Sequence, residues 1–178
     1  YVIPHGLFNY SYKKNKFKKN PLNILFFGRI LPYKGLNNLL DAFEDIEAKH
    51  EHVKLQIIGY GDLSNHKTRL EKLKNVFVFN KWVSEDMVGK FFSEAYIVVL
   101  PYNNASQSGV IATAYAFGVP VIINPVGGLS EQVIHEETGL ISKGMNPKHL
   151  SNSILRLIEN EDLYKKICKN IKIYSSKK

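Results

Sequence analysis

Residues 101–123 read PYNNASQSGVIATAYAFGVPVII, and the order of residue types is that of a strand end, a loop, a helix and a second strand. The apolar run Tyr96-Ile97-Val98-Val99-Leu100 stops at Pro101, which has no N–H to continue a ladder. A small polar loop follows, and Ser106, Gln107, Ser108 and Gly109 stand where it enters about three turns of helix. Gly118 and Pro120 close the helix, and Val121-Ile122-Ile123 resumes as strand. A helix start carries unpaired backbone N–H groups and the positive end of the dipole. Small residues there let a phosphate or sugar hydroxyl approach the backbone closely. The segment reads as a seat for an anionic, oxygen-rich ligand, held by the N–H groups around Gln107, Ser108, Gly109 and Val110. A plain helix cap by Ser106 or Ser108 is compatible with the same residues.

Outward from this stretch the alternation repeats. Asn23-Ile24-Leu25-Phe26-Phe27 is an apolar run ending in Gly28-Arg29, the pattern of a buried strand that stops at a loop. Leu36, Leu39, Leu40, Phe43 and Ile46 recur at helical spacing within 36–48. Val53, Leu55, Ile57 and Ile58 run into Gly59-Tyr60-Gly61, again strand into glycine loop. A short polar helix is expected over 66–73, a strand over 76–79, and a helix over 85–94 with Ser84 as its N-cap. Gly127-Gly128-Leu129-Ser130-Glu131 leads into a short helix, Gly139-Leu140-Ile141 is a last strand, and helices over 147–159 and 161–174 close the chain. This order predicts an α/β fold, a Rossmann-like three-layer domain with a parallel sheet flanked by helices. Ligands of such sheets bind at the carboxyl ends of the strands, where the glycine loops fall. Residues 21–178 are read as this domain and 1–20 as a lead-in segment of different composition.

The chain of 178 residues is long enough for one domain with a sizeable core. It starts at Tyr1, mid-pattern, as a fragment of a longer protein would. The first residues lack a basic-then-apolar signal pattern, and no run approaches the length of a membrane span. The single cysteine, Cys168, excludes an internal disulfide, fits a reducing compartment such as the cytoplasm, and reads as a small core-side residue. The net charge of +8 is uneven. Lys13, Lys14, Lys16, Lys18 and Lys19 cluster near the start, and Lys165, Lys166, Lys169, Lys172, Lys177 and Lys178 at the end. These clusters are either solvated surface or a contact with an anionic membrane face, which would place the chain peripherally at the inner membrane. They are not interleaved with a base-stacking motif, which argues against nucleic acid.

Several phrases line up in order: Ile3-Pro4-His5-Gly6, Gly28-Arg29 with Lys34-Gly35, Ile58-Gly59-Tyr60-Gly61, Leu100-Pro101-Tyr102, Ser108-Gly109, Ala116-Phe117-Gly118-Val119-Pro120-Val121, Gly127-Gly128-Leu129-Ser130-Glu131 and Thr138-Gly139-Leu140. Together they resemble the C-terminal half of GT-B fold glycosyltransferases, in particular the large retaining family 4, the glycosyl transferases group 1. The resemblance implies two Rossmann-like domains facing each other across a cleft, with this chain as the donor-binding half and the acceptor domain absent from it. It implies a nucleotide-sugar donor, and a glycan or lipid-linked acceptor of cell-surface polysaccharide assembly. It also implies that no cofactor and no metal are needed.

The resemblance assigns roles by position. Arg29 and Lys34 match the Arg and Lys that contact the diphosphate, where negative charge grows as the sugar–phosphate bond breaks. Gly28, Gly59 and Gly61 would shape the loops that approach the donor. Backbone groups near Val83 would read the base, while Trp82 beside it reads as core or rim rather than a stacking platform. Glu131 starts a helix, where an acid suits the dipole, as a structural or a ligand-contacting group. Most members carry two glutamates eight positions apart, one on the sugar and one on the ribose. Here those positions are Ala105 and Thr113, and Thr113 would meet the ribose as a neutral partner. A non-catalytic nucleotide-sugar-binding module and a GT-B nucleotide-sugar epimerase stay open as alternatives.

Other chemistries lack their residues. His5, His50, His52, His66, His135 and His149 are without zinc-ligand spacing. The Gly-X-Ser-X-Gly nucleophile elbow is absent. Gly59-Tyr60-Gly61-Asp62-Leu63-Ser64 lacks the third glycine of a dinucleotide fingerprint.

Overall fold

Each apolar run of the sequence becomes a strand, and each glycine punctuation its end. The computed structural model describes residues 22–176; the phrase at 3–6, the lysines at 13–19, Lys177 and Lys178 lie outside them. The strands are β1 Leu22–Phe27, β2 Val53–Ile58, β3 Val76–Phe79, β4 Ile97–Leu100, β5 Val121–Ile123 and β6 Gly139–Ile141. They form one six-stranded sheet in the order β3-β2-β1-β4-β5-β6, and every pairing is parallel. The expected three-layer α/β architecture is therefore present. In β1 and β4, Ile24, Leu25 and Phe26, and Ile97 to Leu100, are almost fully buried, as strands covered on both faces must be.

The helices are α1 Leu36–Glu47, α2 Lys67–Lys72, α3 Glu85–Glu94, α4 Gly109–Ala116, α5 Leu129–Gln132, α6 Pro147–Glu159 and α7 Glu161–Ser176. The apolar stripe expected in α1 is the buried face: Leu36, Leu39, Leu40, Phe43 and Ile46 all lie in the core. Three local expectations are corrected. The helix α4 has eight residues, about two turns rather than three, because Gly118 takes a left-handed φ of 70°. The segment before α2 is a 3-10 turn, Ser64–His66. Ser84 stands at the N-cap of α3 with extended dihedrals, but its side chain makes no capping bond; Glu85 and Asp86 in the first turn complement the dipole instead.

The last two helices fasten the sheet's far side. Asn146 caps α6, its Oδ1 accepting the His149 N–H at 2.9 Å, and Pro147 takes the first helical position. Asn146→Ala is expected to cost about 1 kcal/mol; chemical denaturation would measure it. Tyr164 of α7 stacks on Tyr96 with centroids 4.0 Å apart. Cys168 is buried as expected, and burial pushes its thiol up to about 11. Two of the terminal lysines are paired, Lys165 with Glu161 and Lys166 with Glu137. Among the described residues no helix is long and apolar enough to cross a membrane.

Candidate functional site

The strand order reverses between β1 and β4. Right-handed crossovers then send the two following helices to opposite faces, and a crevice opens at the carboxyl ends of these strands. Two loops line it, 28–35 after β1 and 101–108 after β4.

The first loop carries the cations. Pro32 starts a single 3-10 turn, Pro32–Lys34, closed by the Lys34 N–H donating to the Leu31 carbonyl at 3.0 Å. The Lys34 side chain folds back over Gly28, so closely that a Cβ on Gly28 would lie 2.7 Å from Nζ. The ammonium also sits 5.0 Å from the centroid of the Tyr102 ring, a cation–π contact. Lys34 is only 8% exposed. Among the described residues no carboxylate pairs with Lys34 or with the exposed Arg29. Burial, and then the Arg29 charge, push the Lys34 ammonium down to about 8. A buried cation beside a second cation is costly in the empty protein, and an anion bound between them relieves both charges.

Beneath this turn, Gly59 has φ 141°, and a Cβ there would lie 2.0 Å from the Gly28 carbonyl oxygen. Only glycine allows the two loops to stack this closely. Gly61 is bridged to Ile30, and its N–H and C=O are both held by the Asn80 side-chain amide, at 3.0 and 2.9 Å.

The second loop brings the helix start. Gln107, Ser108, Gly109 and Val110 share one open depression of about 670 Å³ with Tyr33, Lys34 and Tyr102. The N–H groups of Gly109 and Val110 have no partner among the described residues. Ser108 differs from expectation. Its N–H donates to Gln132 Oε1 at 2.8 Å, and Gln132 Nε2 donates to the Ser108 carbonyl at 3.2 Å. The Ser108 N–H is thus spent within the protein. Ser108 does hold the N-cap position, but its side chain makes no capping bond.

The remaining expected residues are more scattered. Thr113 is 7% exposed, and its hydroxyl donates to the Gly109 carbonyl at 3.0 Å. It retains only acceptor capacity for a ribose hydroxyl. Ala105 lines the depression. Glu131 is exposed on α5, and Val83 is half-buried beyond β3; neither lines the depression. Trp82 is 84% exposed, so it is not a core residue.

Three residues had been given no role. Tyr102 is 3% exposed, and burial pushes its hydroxyl up to about 12, with the Ser108 side chain partly offsetting. Asn124, fully buried at the end of β5, donates from Nδ2 to the Tyr102 carbonyl at 3.2 Å. Tyr102 stands in Leu100-Pro101-Tyr102, directly after an apolar run that ends at the crevice edge, which is a local signal for it. Gln132 reaches back twenty-four positions in the chain to Ser108, and no local pattern marks such a contact. Among the described residues no group of three or more His, Cys, Asp or Glu could hold a metal ion.

A six-stranded parallel sheet flanked by helices, with its strand order reversing between β1 and β4, defines a Rossmann-like three-layer α/β domain. The chain belongs to the family of glycosyl transferases group 1, which matches residues 10–174. It is 32% identical over 161 residues to an uncharacterized glycosyltransferase of Methanocaldococcus jannaschii, covering 86% of this chain and 43% of that protein. It is 31% identical to the capsular polysaccharide biosynthesis glycosyltransferase CapM of Staphylococcus aureus, covering 89% of this chain and 42% of that one. The chain thus spans less than half the length of these relatives. The fold superposes on the C-terminal domain of the group 1 protein LpcC from Francisella tularensis, with a TM-score of 0.78 at 20% identity over 88% of this chain and 85% of that one. It also superposes on Anabaena HepE in complex with UDP-glucose, with a TM-score of 0.74 at 23% identity over 89% of this chain and 44% of that one.

Proposed function

We propose that this chain is the donor-binding half of a retaining glycosyltransferase that uses a nucleoside-diphosphate sugar, without a metal ion. The observation that carries the reading is the buried, unpaired Lys34 ammonium beside Arg29, with the free N–H groups of Gly109 and Val110 in the same crevice region. As the bond between the sugar's anomeric carbon and the phosphate oxygen breaks, the outer phosphate takes the electron pair. Lys34 meets that charge as a buried point cation, Arg29 as a planar fork from the solvent side. The two N–H groups add dipoles already oriented by α4. The base lies toward Val83 and the ribose toward Thr113. The capsule role of CapM and the UDP-glucose bound to HepE support a hexosyl donor and a cell-surface glycan or lipid-linked acceptor. The acceptor would be received by a second domain outside this chain. Exposed lysines of α7, Lys169 and Lys172 among them, suit work at the anionic inner face of a membrane.

Calorimetric titration with UDP, GDP and ADP tests the reading. Arg29→Ala is expected to weaken the preferred diphosphate by about 1.5 kcal/mol, roughly tenfold, as the loss of an exposed charge-assisted bond does. Unchanged affinity would remove Arg29 from the site. A second reading, a nucleotide-sugar-binding module without turnover, rests on the absence of an acidic side chain among the residues lining the depression. Sugar transfer by the protein with its acceptor domain would exclude it.

A further inference from the structure

The last part of the loop that enters α4, residues 105–108, is braced by the segment 127–132. Gly128 donates its N–H to the Ala105 carbonyl at 3.2 Å. A Cβ on Gly128 would lie 1.7 Å from the Ser106 carbonyl oxygen, so loop and brace meet backbone to backbone. Gln132 then closes a two-bond fork on the Ser108 backbone, its Oε1 accepting the Ser108 N–H and its Nε2 donating to the Ser108 carbonyl. The Gln132 backbone is itself fastened to the far end of α4, since Tyr115 Oη lies 3.3 Å from the Gln132 carbonyl and 2.8 Å from Thr138 Oγ1. Gln132 thus grips both the N-cap and the last turn of the same short helix.

We infer that Gln132 is a positioning residue for diphosphate binding: its amide fork occupies the Ser108 N–H and thereby aims the next two N–H groups, of Gly109 and Val110, at the ligand. A free N-cap peptide can rotate, and rotation turns the two following N–H vectors together. A side-chain amide that holds both the N–H and the C=O of Ser108 fixes the two peptide units flanking its Cα, and the second of these carries the Gly109 N–H. No other side chain among the described residues hydrogen-bonds the Ser108 backbone. Gln132 touches no ligand in this account; it acts through Ser108. The inference rests on the diphosphate reading of the crevice.

The test combines calorimetry and amide NMR on the whole chain, with inorganic pyrophosphate and UDP as probes. In the wild type, pyrophosphate is expected to move the Gly109 and Val110 amide signals and to leave that of Ser108 nearly still. In Gln132→Leu the Ser108 signal should shift upfield before any ligand is added. Pyrophosphate affinity should fall about tenfold, as loss of an oriented hydrogen-bond pair does, and the bound-state shifts of Gly109 and Val110 should shrink. Signals of β1 to β3 report whether the fold is kept. If Gln132→Leu does not fold, Gln132→Glu serves, since its carboxylate accepts the Ser108 N–H but cannot donate to the Ser108 carbonyl. It should keep the Ser108 signal and still lose affinity. A folded Gln132→Leu that binds pyrophosphate as tightly as the wild type, with the same Gly109 and Val110 shifts, overturns the inference. A wild type that binds neither probe overturns the diphosphate reading beneath it.

Discussion

Lys34→Met is expected to make the empty protein more stable while removing most of its affinity for a nucleoside diphosphate. The two effects share one cause. Lys34 is 8% exposed and has no carboxylate partner among the described residues, so the fold bears an unrelieved desolvation penalty. Discounted for the solvent that still reaches the ammonium, the penalty is about 1–2 kcal/mol. Methionine keeps the unbranched stem, packs against Tyr102 and Gly28, and carries no charge. Melting temperature at pH 7 should rise by roughly 2–6 °C. Diphosphate affinity should fall by about 3 kcal/mol, on the order of a hundredfold, because the buried charge is the one least screened by water. A variant that melts lower and binds normally would mean that Lys34 serves the fold rather than the ligand. The exchange of stability for function is ordinary at binding sites.

The same lysine sets a pH dependence. Its folded-state value of about 8 lies below its ordinary value of 10.5. Between these values the unfolded chain binds more protons than the folded one, so this group's contribution to stability rises with pH across that window. The penalty is complete below pH 8 and gone above 10.5. Binding runs the other way. A diphosphate beside Lys34 raises its pKa, so binding takes up a proton above pH 8 and affinity declines there. Titrations at pH 8.5 in two buffers of different ionisation enthalpy would reveal that uptake as a difference in apparent heat, absent from Lys34→Met.

The parts of this molecule legible in its sequence are those decided by short-range pattern. The α1 stripe of Leu36, Leu39, Leu40, Phe43 and Ile46 could bury one face only as a helix, and it does. The apolar runs before Gly28, Gly59 and Pro101 became parallel strands whose ends share one edge. That edge is enough to bring Lys34 and the 107–110 loop into one depression. What stayed hidden depends on side chains that act across the fold. The reach of Gln132 to Ser108 joins two loops, and it occupies one of the N–H groups at the helix start. Thr113 turned its hydroxyl inward to Gly109, a competition within the helix that spacing does not foretell. The exposure of Trp82 follows from where the loop after β3 ends, not from the apolar character of the residue.

Gly59→Ala is expected to damage the fold and the site together, although Gly59 itself offers a ligand no side chain. At φ 141° an alanine is strained in its own backbone. Its Cβ would also lie 2.0 Å from the Gly28 carbonyl oxygen and 2.7 Å from the Gly28 carbonyl carbon, so one of the two loops must move. The β2 side cannot give easily, since the Gly59 N–H donates to the Phe79 carbonyl at 3.0 Å and the Gly28 N–H to the Ile58 carbonyl at 2.9 Å. Strain and clash together should cost about 2–4 kcal/mol, seen as a melting temperature lower by roughly 5–15 °C. Whatever relaxation occurs displaces Gly28, the surface on which the Lys34 ammonium rests, and with it Arg29. Diphosphate binding by the folded fraction should therefore also weaken, and Gly109→Ala, where a Cβ meets nothing within 4 Å, is the control that should leave stability nearly unchanged. If Gly59→Ala melted like the wild type and bound diphosphate normally, the close stacking of the first two loops would not be what holds the cations in place.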